Sequence, residues 1–393
     1  MINILPLLLL SALKYTESKC SETQEQSHLW KVTESGRSNP IFLFGTIHIA
    51  WSDVWHDVHP NVHSAFEAAD TVILELALNN PKILETLSKC RNLPPGVRLE
   101  KLIGKHLFSK IERYLKSRKR QLIRSFFALQ SMDKHNVLKK FHEITVEWQY
   151  RKPTWVLFML FHLLHFNNDG PPKESVQMLD AFLAEEAQKL GKKIKSIESP
   201  EEQCEPLHSM STKEISQALE QTLSHLLLND GKKPREIRNS ETMLEKYQCG
   251  KLDETIFEST NFLESDSNSE LSSLQQRIKN DMITSRNKRM AERLHGFFED
   301  KKEEIIFVAI GAAHFIGQSN IITKLKQLHN YSIAPIMNDE ILKLDYIRPL
   351  RSFKGFRNLW EREQPKSPLE TGFVVWQEQY PKEIFTSNGS QFL

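Results

Sequence analysis

Two short segments of this chain repeat one pattern. Residues 42–48 read FLFGTIH and residues 307–314 read FVAIGAAH. Each is an apolar run, a glycine, two spacers and a histidine. In a chain with only 14 glycines and 15 histidines, two such strings at the ends of apolar runs constrain the fold. They predict two strands, 41–47 and 304–310, in one sheet with their carboxyl ends close together. Ligands of open α/β sheets sit at that edge. Glycine there would let the backbone turn without a Cβ in the way, and the histidine would point across the sheet end. Gly45 with His48, and Gly311 with His314, are therefore the first candidate site residues.

The rest of the chain fits around this pair. Thr71 to Leu76, TVILEL, reads as another strand, with helical spacing from Asn61 to Ala69 before it. Strand, helix and strand at this spacing predict a βαβ unit with parallel strands. Residues 80–190 read as mostly helical. Within them Trp155 to Phe166 is apolar but too short to span a bilayer, and it carries His162 and His165. It reads as a core helix. The basic run KSRKRQLIR, 116–124, reads as a solvated helix face. A helix from Gln177 to Leu190 stops at Gly191, and KIKSIES reads as a strand. Residues 208–300 are again helical, broken by ESDSNSE at 264–270. A helix at 319–328 and a strand at 331–336 follow. The expected fold class is α/β: a central, mostly parallel sheet with βαβ units, flanked by a large helical region. The segment 350–393, rich in charge, Pro and Gln, is expected to pack weakly.

A formal charge of +2 gives no basic field for nucleic acid. The opening residues MINILPLLLLSALKYTESKC contain an apolar run from Ile4 to Leu13, and residues 1–20 read as a signal peptide. The four cysteines, Cys20, Cys90, Cys204 and Cys249, suit disulfides in an exported chain and permit three pairings. Asn330 and Asn388 stand in N-glycosylation triplets, which agrees with export.

A third candidate site residue is Glu75, set among leucines in VILELAL. A carboxylate on an apolar strand is costly to bury without a partner. Two histidines and a glutamate make a metal set with open positions for water or substrate. Glu75 would serve as ligand or as general base. The competing reading has the histidines bonding backbone and Glu75 facing an arginine. Arg286, Asn287 and Arg289 lie together on one predicted helix, where they would orient a carboxylate, hold a developing anion or form surface ion pairs. Asp180 and Glu198 are further polar residues beside apolar elements.

The chain resembles Tiki-type metalloproteases, within the TraB-like group related to erythromycin esterase and haem-binding ChaN proteins. The matching segments include HLWKV, FLFGTIH, VILELAL, CRNLPPG, RKPTWV, LDAFLAEEAQKLGKK, SPEEQCEPL, YQCGKL, RNKRM and GAAHFIG, over roughly residues 28–330. The resemblance implies a catalytic domain over 28–340 and an extracellular protease that uses manganese or cobalt. Such a protease removes an N-terminal segment from secreted Wnt proteins and so restrains Wnt signalling. It implies the pair His48 and His314 with the acid Glu75, and it places Cys90, Cys204 and Cys249 at family positions. Cys204 with Cys249 is the expected bridge. The resemblance implies a long tail with a hydrophobic anchor, as is usual for Tiki proteins. This chain ends at Leu393 without one, so the expectation is a protein that is secreted, truncated or tethered through a partner. A non-catalytic metal or haem binder of the ChaN type is the alternative. A third reading is an esterase with a histidine base, though no GxSxG motif marks a serine nucleophile.

Overall fold

The computed structural model describes residues 28–47, 51–129, 134–164, 177–205, 210–228, 247, 276–277, 280–329, 331–337, 341–342 and 344. His48, Cys20, Cys249, Asn330, Asn388, the leader, the 264–270 segment and the C-terminal tail lie outside the described residues.

Six strands form one mixed sheet: β1 (Leu29–Thr33), β2 (Ile41–Thr46), β3 (Thr71–Leu74), β4 (Lys193–Ser196), β5 (Ile306–Gly311) and β6 (Ser332–Pro335). Their order across the sheet is β4-β3-β5-β2-β1-β6. β4, β3, β5 and β2 run parallel, and β1 is antiparallel to both of its neighbours. The two strands of the repeated pattern are therefore adjacent, with Thr46 opposite Gly311. β2 and β3 are parallel as expected, but β5 from far along the chain lies between them. β1 was not apparent from the sequence, because LWKVT offers only five residues.

Alternation within the strands divides the core. Phe42, Phe44, Val72, Leu74, Phe307 and Ala309 pack on one face, against α2 (Pro60–Ala68) and α8 (Leu179–Lys189). Ile41, Leu43, Ile73, Ile306, Val308 and Ile310 pack on the other, against α11 (Ser285–Asp300) and α12 (Ile321–His329). Both faces of β2, β3 and β5 are covered, which explains why these three strands read as continuous apolar runs; β4, at the sheet edge, reads KIKS and stays partly exposed.

The remaining helices run in chain order. α1 (Trp51–Val54) follows β2. After β3 come α3 (Pro81–Arg91), α4 (Leu99–Ile103), α5 (Lys105–Leu129), α6 (Lys134–Thr145) and α7 (Pro153–Leu164). α9 (Pro200–Cys204) and α10 (Thr212–Leu228) follow β4. α4 to α7 and α10 build a separate core around Leu107, Ile111, Leu115, Leu160 and Leu219. On α5 the buried residues recur every three or four positions, so one face enters this core and the opposite face meets water. α7 is the apolar helix expected as core, with Val156, Leu157, Leu160 and Leu163 buried. Among the described residues, no helix is long and apolar enough to cross a membrane.

The disulfide differs from expectation. Cys204 is bonded to Cys90, joining α9 to α3, and not to Cys249. The bridge is buried beside Trp155, Phe158 and Met282. Helix packing brings together residues 114 positions apart, which spacing along the chain does not reveal.

Candidate metal centre

The connections in this sheet decide which side chains meet. A helix that precedes a parallel strand begins at the carboxyl edge of the sheet. α8 precedes β4 and α11 precedes β5, so the first turns of both helices lie at that edge, one on each face. They deliver Asp180 from one side and Arg286 with Asn287 from the other.

Glu75 follows β3 by one residue, just beyond the strand rather than within it. Its backbone oxygen still accepts from Glu198 N at 3.1 Å, so the pairing with β4 continues and fixes its place. Gly311 N donates to Oε1 at 2.7 Å. Arg286 Nη2 donates to Oε2 at 2.8 Å, and Gln203 Nε2 donates to Oε2 at 3.1 Å. The carboxylate is thus held by three N–H donors, and its side chain keeps 15% exposure, enough to meet a ligand.

Arg286 also clasps Glu198, whose side chain is fully buried, through Nε at 2.9 Å and through Nη2. Its Nη1 donates to Met282 O at 3.0 Å, in the π-helical turn Asn280–Thr284 that leads into α11. Burial alone would lower the Arg286 pKa, but Glu198 and Glu75 outweigh it and raise the pKa above the ordinary guanidinium value. Among these described groups two carboxylates share one guanidinium, an excess of negative charge.

His314 sits in the 3-10 turn Ala312–Phe315 and is buried. Its Nδ1 lies 2.6 Å from Asn287 Oδ1. The Asn287 amide nitrogen donates to Ser319 O at 2.9 Å, which leaves Oδ1 as the atom facing the imidazole. Nδ1 therefore carries the proton, and in the neutral ring Nε2 carries the lone pair. Nε2 lies 3.8 Å from Glu75 Oε1. A nitrogen lone pair and a carboxylate oxygen at that separation, in a cluster of excess negative charge, fit a divalent cation. The Nδ1–H to Asn287 bond is the usual support of a ligating histidine. Among the described residues no group of three His, Cys, Asp or Glu is placed to hold a metal. His48, one residue beyond the described end of the β2 segment, is outside that set.

The two glycines differ in purpose from the expected sharp turn. Neither has a positive φ. Gly311 instead provides room: a Cβ there would stand 3.0 Å from Glu75 Oε1. A Cβ on Gly45 would meet Ala312 and Phe315 only at 3.4–3.5 Å, ordinary contact. Arg289 does not join the centre. It pairs with exposed Glu205 at 3.3 Å, so for this residue the surface ion pair is the outcome.

Asp180, a bare possibility in the sequence, accepts from Thr46 Oγ1 at 2.6 Å at the end of β2. Three supporting residues were missed. Thr46 reads in the sequence only as a spacer. Gln203 lies on α9, whose start is marked by the capping box Ser199 and Glu202; that signal would have placed Gln203 one turn into a helix beside Glu198. Tyr247 is fully buried and donates its hydroxyl to Gly45 O at 2.5 Å. Burial, then the charge of Asp180, raises its pKa well above the usual phenol range.

The model of the TraB/PrgY/gumN family matches residues 28–333. The chain belongs to that family. Several curated proteins similar to the chain bear the name Metalloprotease TIKI. The chain is 28% identical to the Metalloprotease TIKI homolog of Nematostella vectensis over 375 residues, which cover 91% of this chain and 76% of the relative. It is 29% identical to Metalloprotease TIKI1 of Xenopus tropicalis, covering 89% of this chain and 68% of that one. It is 30% identical to Metalloprotease TIKI2 of Danio rerio, covering 78% and 60%. No solved structure matches the chain. The names of these relatives imply a divalent metal in those proteins, and Glu75 and His314 offer donor chemistry of that kind.

Proposed function

We propose that this protein is a metal-dependent protease whose centre lies at the carboxyl ends of β2, β3 and β5. The observation that carries the reading is the approach of His314 Nε2 to Glu75 Oε1 at 3.8 Å, with Nδ1 held by Asn287. Glu75, His314 and His48 would hold the cation, manganese or cobalt by family resemblance. A divalent cation there would polarise a peptide carbonyl and acidify water. The chain's own residues do the rest. Arg286 and Gln203 fix Oε2 of Glu75, so that Oε1 stays turned toward His314. Glu198 balances the charge of Arg286. Asn287 keeps the proton of His314 on Nδ1.

The finer reading takes the substrate to be the N-terminal segment of a secreted Wnt protein, acted on outside the cell or at its surface. Family resemblance supports the substrate. The Cys90–Cys204 bridge supports an oxidising compartment. The test is mass spectrometry of a Wnt protein after incubation with the purified chain. A shortened N-terminus is expected, lost in chelator and restored by added manganese or cobalt. Glu75→Gln should reduce cleavage by about 100-fold or more. Undiminished cleavage in chelator overturns the metal dependence. An intact Wnt beside cleavage of other peptides overturns the substrate.

A further inference from the structure

α5 carries eight Lys and Arg residues and one acid, Glu112. Six of the eight are exposed: Lys105, Arg113, Lys116, Lys119, Arg120 and Arg124. At 3.6 residues per turn they fall within an arc of about 140° along about 28 Å of helix. The chain as a whole is nearly neutral, so this stripe is a local concentration of charge.

Within the described residues the stripe is largely left unneutralised. Lys116 pairs with Glu112 at 3.1 Å. Among the described residues no carboxylate pairs with the other five. Arg113, Lys116, Arg120 and Arg124 are three and four residues apart, the spacing at which like charges repel. Lys105 opens the helix, where the dipole disfavours a cation, and no acid stands in that turn. A face that only had to stay wet would alternate signs. Glu85 with Lys89, and Glu185 with Lys189, do so on other helices. On α5 the arrangement works against the isolated helix and suits an external polyanion.

We propose that this stripe binds a sulfated polysaccharide. The buried disulfide points to an oxidising compartment, away from nucleic acid and from the anionic cytoplasmic leaflet. A membrane surface is further disfavoured because, among the described side chains of α5, the buried apolar ones are not available to insert. Leu107, Phe108, Ile111, Tyr114, Leu115 and Leu122 are committed to the helical core. A linear, densely sulfated chain needs only a straight row of cations.

The test uses the full chain on immobilised heparin at about 0.15 M salt, with desulfated heparin and vesicles containing about 30% phosphatidylserine as comparisons. Retention on heparin alone is expected. The variant R113Q/K116Q/R120Q/R124Q should bind heparin at least about 10-fold more weakly, with a shallower salt dependence and an unchanged melting temperature. A second variant, K105Q/K119Q, acts through different residues of the stripe and should weaken binding in the same direction. No retention at that salt, equal binding to desulfated heparin or vesicles, or undiminished binding by both variants would overturn the proposal.

Discussion

His314 Nδ1 lies 2.6 Å from Asn287 Oδ1, and the same amide donates to Ser319 O at 2.9 Å. This relay makes the Asn287 side chain the determinant of which imidazole nitrogen faces Glu75. Asn287→Ala should free the ring to rotate and change tautomer. Divalent-metal affinity, read by calorimetry, is expected to fall by about 10–100-fold, the usual cost of losing such a support. Asn287→Asp keeps the acceptor and should recover part of the loss. Equal affinity in the Ala variant and the parent would show that the relay does not position the ring.

Arg286 is the second determinant, through charge. Its partners Glu198 and Glu75 expose 0% and 15% of their side chains. Arg286→Met leaves both carboxylates without their counter-ion. Urea unfolding should show a loss of about 3–5 kcal/mol, as when one partner is removed from a buried pair. Arg286→Lys should rescue little, because one ammonium cannot reproduce the forked contacts.

Much of this arrangement was legible in the sequence, and the reasons are local. Apolar runs ending in Gly-x-x-His announced β2 and β5, and a carboxylate among leucines announced Glu75. The competing reading of Glu75 also held, since it does face an arginine. What was not legible depends on tertiary packing. The insertion of β5 between β2 and β3 has no local signature. Nor does the meeting of α3 with α9 that sets the Cys90–Cys204 pairing. The sequence marks both glycines but not their purpose, because whether a missing Cβ serves a turn or makes room depends on what the fold places opposite. Arg289 looked equivalent to Arg286 on the same helix, yet three residues along the helix it reaches Glu205 at the surface.

The third prediction concerns pH. His28 is buried, stacks on the Tyr247 ring and bonds the Tyr247 carbonyl through Nε2. Burial pushes its pKa down to about 4, against the partial opposition of that bond. The unfolded chain takes up this proton near pH 6.5 and the folded one only near 4. The contribution is therefore complete above about 6.5, falls as pH drops through that value, and levels off below about 4. A shift of this size corresponds to about 3 kcal/mol. His28→Phe keeps the stacking and should flatten the stability profile between pH 6.5 and 4. An unchanged slope would place the sensitivity elsewhere.

The disulfide gives a fourth. Cys90 and Cys204 close a long loop, with a sequence separation of 114. Cys204 directly follows Gln203, a donor to Glu75. The double variant C90S/C204S should lose about 2–4 kcal/mol in denaturant unfolding. Non-reducing peptide mapping of the parent should recover a Cys90–Cys204 cross-linked pair. Recovery of a Cys204–Cys249 pair in its place would reject the bridge.

The final prediction separates the two glycines of the repeated pattern. Gly311 N donates to Glu75 Oε1 at 2.7 Å, and a Cβ at Gly311 would stand 3.0 Å from that same oxygen. Either the carboxylate or the strand must then yield. The carboxylate is itself tied by Arg286 and Gln203, so it cannot move without straining those bonds. Gly311→Ala should displace Oε1 from His314 and lower metal affinity about 10-fold, within the range for losing a ligand's support. Gly45→Ala meets only ordinary contacts at 3.4–3.5 Å, and neither glycine needs a positive φ. It should bind metal like the parent, with stability changed by less than about 1 kcal/mol. Calorimetric titration of the two variants with the same divalent metal checks the contrast. Equal loss in both would mean that the pattern serves backbone geometry after all. Loss confined to Gly311→Ala would assign that glycine to the clearance of Glu75.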